Sequence, residues 1–285
     1  MSNTTVRGTV RRRPRVLSTA FLFVLSVYFL VPVWWLVVAS TKSRSSLFGS
    51  DGFWFSEPQL MTNLDHLFST GNGIFLRWML NTVLYAGVGA AVATLLSGMA
   101  GYALAKYRFR GREAVFSVIL GAVLVPAPLL ALPIYLMFSK VHLTDTVWAV
   151  LLPSMVSPFG VYLSRIYAVS AVPEELLEAA RIDGSSEWRT FRTVVLPIMS
   201  PALVTVFLFQ FTAIWNNFFL PLVTLGNQKL WPVNLGLYYW DSLKENTPYD
   251  LVVTGALVSV VPLAAAFLLL QRYWRTDLVA GGVKA

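Results

Sequence analysis

Apolar residues along this chain gather into six long stretches, separated by shorter segments that carry most of the charged residues. A helix needs about 20 apolar residues to cross the roughly 30 Å hydrocarbon core of a bilayer. Each stretch has that length, and they run approximately over residues 16–39, 78–104, 114–138, 146–168, 198–220 and 251–270. The pattern predicts an all-α, polytopic membrane protein with six transmembrane helices in a domain spanning residues 16–270.

The amino-acid composition agrees with this prediction. Of the 285 residues, 56% are hydrophobic and only 13% are charged, whereas a soluble domain has about 25% charged residues. Cysteine is absent, which excludes disulfides, a thiolate nucleophile and cysteine metal ligands.

The first apolar stretch follows the basic run RRRPR at residues 11–15. It is longer than the roughly 7–15 apolar residues of a cleaved signal peptide. We therefore interpret it as a retained signal anchor, with a twin-arginine signal as the alternative that the paired arginines raise.

The lysines and arginines alternate between the two sides of the predicted bundle. Sixteen of the 22 lie before the first stretch, after the second, around residues 165–192 and after the sixth, and six lie in the other segments. An excess of positive charge marks the cytoplasmic side. We therefore expect a multi-pass protein of the cell membrane with a cytoplasmic basic N-terminus (1–15), a cytoplasmic hairpin (173–197) and a cytoplasmic tail (271–285). This topology accounts for the net charge of +8 without nucleic-acid binding.

The segment at residues 173–197 has the signals of two short helices. Pro173 suits a first helical turn, and Glu174 and Glu175 place negative charge where the helix dipole favours it. Asp183-Gly184 predicts the end of the first helix, because glycine can adopt the left-handed cap.

A second helix is predicted directly after this turn. Ser185 or Ser186 is a suitable N-cap, and Trp188, Phe191 and Val195 recur at helical spacing. We expect residues 188–195 to pack against the spans and residues 178–184 to face a partner. The small side chains of the first helix suit a close fit in the groove of a separate energy-supplying protein, although an ordinary amphipathic surface loop explains the pattern equally well.

Prolines interrupt the third and fourth stretches, at positions 126, 128, 133, 153 and 158. A proline removes a backbone hydrogen bond, and an interrupted helix at membrane depth is tolerated where protein or a watery cavity covers it. The prolines are consistent with a transport pathway and equally with a kinked bundle.

The fifth stretch carries polar side chains. On a continuous helix Thr205, Thr212 and Asn216 share one stripe, and Gln210 and Asn217 share another about 130° away. Such side chains either hydrogen-bond between helices or face a cavity, which makes Gln210, Asn216 and Asn217 candidates for the lining of a translocation path.

Among the aromatic residues of the outward segments are seven that fit either an interfacial belt or a docking surface for an external protein. They are Phe53, Trp54, Phe55, Trp231, Tyr238, Tyr239 and Trp240.

The chain lacks the motifs of an autonomous enzyme or pump. There is no HExxH and no GxxxxGK[ST] phosphate loop, and the stretches hold no chain of carboxylates or histidines for proton coupling. We therefore expect a transport subunit that is not an enzyme. The alternatives are a self-sufficient secondary transporter of a small polar solute and a membrane enzyme with His66 or His142 as its base.

The hairpin resembles the EAA loop of ABC importer permeases. Residues Glu178-Ala179-Ala180, Asp183-Gly184, Phe191 and Leu196-Pro197 fit the spacing EAAxxDGxxxxxxFxxxxLP. Further segments are similar to the six-span subunit of maltose-permease-type carbohydrate importers: RWMLNT (77–82), GYALAKYRFRGR (101–112), PIYLMF (133–138), WNNFFLPL (215–222) and the tail AGGVKA (280–285).

The resemblance implies a type I ABC importer permease with a cytoplasmic EAA coupling hairpin. Such a subunit pairs with a second permease subunit and a dimer of ATP-binding subunits. An extracytoplasmic sugar-binding protein delivers the substrate, most often an oligosaccharide or a disaccharide. The chain itself would bind no cofactor, since ATP and Mg belong to the partner ATPase.

The family's roles carry over to single residues. Glu178 would pair with a basic residue of the ATPase, Ala179 and Ala180 would pack in its groove, and Asp183-Gly184 would form the turn. Ser185 replaces the usual alanine as another small contact residue.

Two further groups of positions follow from the same resemblance. The C-terminal tail in relatives reaches toward the ATPases, so Gly281, Gly282 and Lys284 are candidate contacts. Asn217 stands where relatives commonly carry an acid, which leaves hydrogen bonding as its expected role.

Overall fold

The structure is a computed structural model that describes residues 16–244 and 247–281; for 272–281 only the backbone is described. Within these ranges the regular elements are helical. The α-helices are α1 Val16–Ser40, α2 Arg44–Gly49, α3 Leu60–Ser69, α4 Ile74–Lys106, α5 Arg112–Val123, α6 Ala127–Lys140, α7 Trp148–Ser154, α8 Pro158–Ala171, α9 Glu174–Ile182, α10 Glu187–Thr190, α11 Leu196–Trp215, α12 Phe219–Thr224, α13 Val233–Asp241 and α14 Tyr249–Gly281. Short 3-10 turns lie at Thr70–Asn72 and Gln228–Leu230, and a π-helical turn at Phe191–Val195.

The apolar spans lie where the sequence predicts them. In the described ranges five helical segments are long and apolar enough to cross a membrane: Val16–Ser40, Leu60–Lys106, Trp148–Ala171, Glu187–Trp215 and Tyr249–Gln271. The predicted third span consists of α5 and α6, which meet at an angle of 103°. Counting this bent pair as one span gives the expected six, and the multi-pass all-α architecture is confirmed.

Proline chemistry explains the bend. Pro126 lies directly before α6 with an extended backbone, and it has no N–H with which to continue the ladder of α5. Pro128, in the first turn of α6, lacks a donor that would be unpaired in any case.

Helix α4 is the centre of the bundle, and it packs most extensively against α8 and α11. The close approach depends on small residues. A Cβ at Gly101 would lie 2.5 Å from the Ser164 Cβ and 2.7 Å from the Arg165 nitrogen, so only glycine lets the backbones of α4 and α8 meet there.

The buried side chains form two clusters at opposite ends of the bundle. We call the end near residues 173–197 the hairpin end, where the cluster includes Tyr102, Val172 and Met199. The loop end is the opposite end, where the cluster includes Trp78 and Trp240.

The loop end is held by side chains of α4 that bind one outer loop. Arg77 Nε and Trp78 Nε1 donate to the carbonyls of Lys229 and Gln228, each at 2.8 Å. Asn81 Nδ2 donates to the carbonyl of Lys229 at 2.9 Å. The RWMLNT segment thus anchors the loop that precedes α13.

The expectation for the seven outer aromatics is wrong for Trp240. Its ring lies 4.7 Å from the Trp78 ring in the buried cluster, so it belongs to the core and to neither a belt nor a docking surface. Phe53, Trp54 and Tyr238 are exposed as expected.

Candidate functional site

The first helix of the hairpin is α9, and it ends where the sequence predicts. Gly184 has a φ of +73°, its N–H donates to the Arg181 carbonyl at 3.0 Å, and the Ser185 N–H donates to the Ala180 carbonyl at 2.9 Å. These two bonds form a Schellman cap. The left-handed cap at Gly184 is therefore confirmed.

The second helix of the hairpin starts at Ser186, one of the two serines considered. Its hydroxyl accepts from the Arg189 N–H, which caps α10. The Ser185 hydroxyl contacts that of Thr190 instead, at 3.1 Å.

A π-helical turn joins α10 to α11 immediately before Pro197. The Leu196 N–H donates to the Phe191 carbonyl, five residues earlier. The proline ring of residue 197 would collide with the carbonyl four residues before it in a regular α-helix. The wider turn accommodates that proline, so the Leu-Pro pair of the motif marks the entrance to α11.

The two faces of the hairpin are chemically distinct. Leu177, on α9, is only 4% exposed and packs with Phe191 and Val195 in the buried cluster of the hairpin end. The opposite face presents Glu178, Ala179 and other exposed residues to the surroundings. The hairpin is thus fixed to the bundle by one face, and the other is free to contact a partner.

The candidate contact residues divide by exposure. Glu178, Ala179, Asp183 and Gly184 are exposed, whereas Ala180 and Ser185 are half-buried. The structure brings all six to one surface turn.

The expected inward packing of Trp188 is wrong. Its side chain is 61% exposed, although its ring stacks on that of Phe191 at a centroid distance of 5.8 Å. Ile182 is 86% exposed on the neighbouring turn. Helical spacing predicts which residues share a face but not how many of them are buried. Of the three predicted residues, only Phe191 and Val195 are buried.

A polar contact that sequence reasoning missed ties the hairpin to α4. The Tyr107 hydroxyl donates to Glu187 Oε2, and Arg181 Nε donates to Glu187 Oε1 at 3.2 Å. Burial and the bond to Glu187 raise the pKa of the Tyr107 phenol well above its usual range. Tyr107 lies in the segment GYALAKYRFRGR that resembles the family, but nothing in the sequence indicates that its side chain contacts residue 187.

A second missed contact joins α5 to α8. The Arg165 guanidinium binds both carboxylate oxygens of Glu113 at 2.8 and 3.0 Å and lies 3.7 Å from the centroid of the Phe116 ring. A single guanidinium nitrogen, Nη2, donates to both oxygens, and charge-assisted hydrogen bonds of this kind are stronger than neutral ones.

A cavity of about 630 Å³ opens where three helix interruptions meet. The interruptions separate α5 from α6, α7 from α8, and α11 from α12. Gln210, Asn216 and Asn217 all contribute to its lining, together with aromatic residues such as Phe159 and Phe218, and none of the described residues that line it is charged. The structure therefore brings the three candidate path residues to one site.

Gln210 repairs one of these interruptions. The Ser154 carbonyl would bond to the N–H of residue 158 in a continuous helix, but residue 158 is proline and has none. Gln210 Nε2 donates to this carbonyl at 3.1 Å instead. The amide thus satisfies a backbone group that would be costly to leave unpaired in a membrane.

Asn216 and Asn217 do not lie on the helical stripes predicted for them. Helix α11 ends at Trp215, so both residues lie in the interruption before α12. Asn216 Nδ2 donates to the Thr212 carbonyl at 2.9 Å. The Asn217 side chain makes no hydrogen bond within the described ranges and lines the cavity.

The tail residues fall at the edge of the described chain. Gly281 is the last residue of α14, and Gly282 and Lys284 lie outside the described residues. Their expected contacts stay predictions.

Known proteins resemble this chain over most of its length. A sequence profile described as "Binding-protein-dependent transport system inner membrane component" matches residues 93–277. The arabinooligosaccharides transport system permease protein AraQ of Bacillus subtilis is 34% identical over 273 residues, which cover 95% of this chain and 96% of that protein. The lactose transport system permease protein LacG of Rhizobium radiobacter is 29% identical, with coverage of 97% and 99%.

A solved structure supports the fold. It is the crystal structure of a bacterial ABC transporter that imports the acidic polysaccharide alginate. One of its chains matches with a TM-score of 0.80 at 21% identity over 93% of this chain and 99% of that chain. With the profile covering more than half of the sequence, the chain belongs to the family of binding-protein-dependent transport system inner membrane components.

Proposed function

We propose that this chain is one of two permease subunits of an ATP-driven importer for an uncharged oligosaccharide or disaccharide. An external binding protein delivers the sugar, and a dimer of separate ATP-binding subunits supplies the energy. ATP and Mg bind to those subunits and not to this chain. A self-sufficient secondary transporter is not favoured, because the relatives named above are permeases of larger transport systems.

The exposed face of the hairpin carries this proposal. Its buried face fixes α9 to the bundle through Leu177, and its free face presents Glu178, Ala179 and the turn at Asp183-Gly184. Shifting a two-state equilibrium from 1:99 to 99:1 requires about 5.5 kcal/mol of differential interaction. A hairpin fixed on one side and free on the other suits the transmission of such an energy from a bound ATPase.

The hairpin then lies in the cytoplasm, where ATP is available. The distribution of lysine and arginine supports this orientation, which also places both termini on the cytoplasmic side. The loop end, with the outer loop held by Arg77 and Asn81, faces the binding protein. We expect the tail residues Gly281, Gly282 and Lys284 to contact the ATPases.

The cavity supports the choice of an uncharged sugar. The described residues of its lining combine amides with aromatic and aliphatic side chains and include no charged group, as expected of a path for a neutral solute with many hydroxyl groups. Within it Asn217 is the amide available to the substrate, whereas the Nε2 of Gln210 is engaged by Ser154. The names of two relatives also mention arabinooligosaccharides and lactose.

Charge reversal and bulk at the hairpin turn test the proposal. We expect Glu178→Lys and Gly184→Trp to abolish ATP-driven uptake and to release the ATPase subunits while membrane insertion is retained. The measurements are co-purification of the ATPase with the permease pair and sugar uptake into proteoliposomes.

Matched controls separate contact from strain. Gly111→Trp introduces the same side chain at another exposed glycine of positive φ, +88°, with no atom within 4 Å of its Cβ position. Glu175→Lys reverses another exposed charge on α9. Both controls should keep the ATPase bound. Normal uptake and ATPase association in both test variants would overturn the proposal.

A further inference from the structure

The hairpin is connected to α4 by a polar contact that uses none of the specified residues of the EAA motif. Tyr107, which follows the last residue of α4, donates to Glu187 at the start of α10. Arg181 at the end of α9 binds the other oxygen of the same carboxylate. Glu187 therefore joins three segments at one point, and among the carboxylates of the described hairpin it alone accepts a hydrogen bond from a tyrosine.

Aromatic packing supports the contact from beneath. The rings of Tyr107 and Tyr102 meet edge to face at 5.6 Å, and the Tyr102 ring lies 5.7 Å from that of Phe191. Apolar contact is non-directional, whereas a hydrogen bond to a carboxylate is directional and strong. The rings hold the hairpin against α4, and the hydroxyl sets its position along that surface.

Helix α4 reaches from this contact to the loop end. Its 33 residues correspond to about 50 Å at 1.5 Å per residue. At its other end Arg77 and Asn81 bind the Lys229 carbonyl. One rigid element thus contacts both the hairpin and the outer loop.

We propose that Tyr107 and Glu187 are positioning residues that convert movement of the hairpin into movement of α4. The inference rests on the proposed function, since it assigns a route for the energy that an ATPase delivers to the hairpin. The contact acts through α4 and touches neither ATP nor sugar. Its loss should therefore waste ATP without detaching the ATPase.

The test compares uptake with ATP consumption in proteoliposomes containing the whole transporter. Tyr107→Phe removes one oxygen atom and keeps the ring packing. We expect normal assembly and an ATPase rate close to that of the wild type, with sugar uptake per ATP lowered roughly 2- to 30-fold, the range for substitutions that disturb coupling between sites.

Substitutions at residue 187 isolate the hydrogen bond. Glu187→Gln keeps an acceptor for Tyr107 but loses the charge, so its uptake ratio should fall less than that of Glu187→Leu, which removes both. The double variant Tyr107→Phe with Glu187→Leu should be no worse than Glu187→Leu alone, because both changes remove the same interaction.

Tyr162→Phe is the matched control. Tyr162 lies on α8 and stacks on Phe116 at 6.2 Å, and its hydroxyl makes no hydrogen bond within the described ranges. Its ratio of uptake to ATP should equal that of the wild type.

The outcomes are distinguishable. A wild-type chain that binds no ATPase overturns the proposed function and this inference with it. If the wild-type complex is active, and Tyr107→Phe and Glu187→Leu take up as much sugar per ATP as the wild type, the inference alone is overturned. Loss of ATPase association together with uptake in these variants also overturns it, because that result indicates a purely structural contact.

Discussion

The hairpin and the cavity differ in how far apart along the chain the residues that form them lie. The hairpin is built from 25 consecutive residues, and its turn is specified locally by Gly184 and Ser186. The cavity is assembled from interruptions that lie far apart in the chain, and one of them is completed by Gln210 binding a carbonyl 56 residues away. The comparison shows that the conformation of a surface hairpin can be predicted from neighbouring residues. A path through the bundle depends on several helices at once.

The largest effect should come from the buried side of the hairpin. Leu177→Ala removes a side chain that is almost fully buried, which typically costs about 2–5 kcal/mol of stability. We expect faster protease cleavage near residues 173–190 and loss of ATPase association. The matched variant Ile182→Ala, at an exposed position, should leave proteolysis unchanged, and equal cleavage of the two would contradict the two-faced hairpin.

The next effect concerns the repaired interruption beside the cavity. Gln210→Leu leaves the Ser154 carbonyl unpaired, at a cost of about 1–3 kcal/mol, and should lower the thermal unfolding midpoint in detergent.

Pro158→Ala is the companion variant for this prediction. It restores an N–H that can bond to the Ser154 carbonyl, so Gln210→Leu should destabilise the protein less in that background. Equal destabilisation in both backgrounds would show that the amide does not replace the missing N–H.

A smaller effect is expected at the hairpin turn. Gly184→Ala places a side chain at a φ of +73° without any steric contact, which costs about 1 kcal/mol from backbone strain alone. Uptake should fall modestly and remain measurable, in contrast to Gly184→Trp. If the alanine variant abolishes uptake as completely as the tryptophan variant, the turn requires its conformation and not free space.

The smallest change in stability should occur at Asn217. Because its side chain has no hydrogen bond to lose, Asn217→Ala should alter the free energy of unfolding by less than about 0.5 kcal/mol. Losing one hydrogen bond to the sugar should nevertheless weaken apparent affinity roughly 2- to 10-fold. Asn216→Ala, whose amide binds its own helix, is the control, and unchanged transport in Asn217→Ala would remove it from the proposed path.

The sequence by itself determined the apolar spans, the helix ends of the hairpin and the EAA spacing. These features depend on side-chain hydrophobicity and on local backbone chemistry. Gly184 could be assigned to a left-handed cap because that conformation depends only on the glycine itself and on the helical residues immediately before it.

Only the tertiary structure decided which of these residues meet. Trp188 and Trp240 have the same chemistry, yet the first is exposed and the second is buried against Trp78. Asn217 does not share a helical stripe with Gln210, because α11 ends at Trp215. The contact of Tyr107 with Glu187 joins residues 80 positions apart. Burial and pairing depend on which segments pack against each other. A local sequence pattern does not determine which distant segments come into contact.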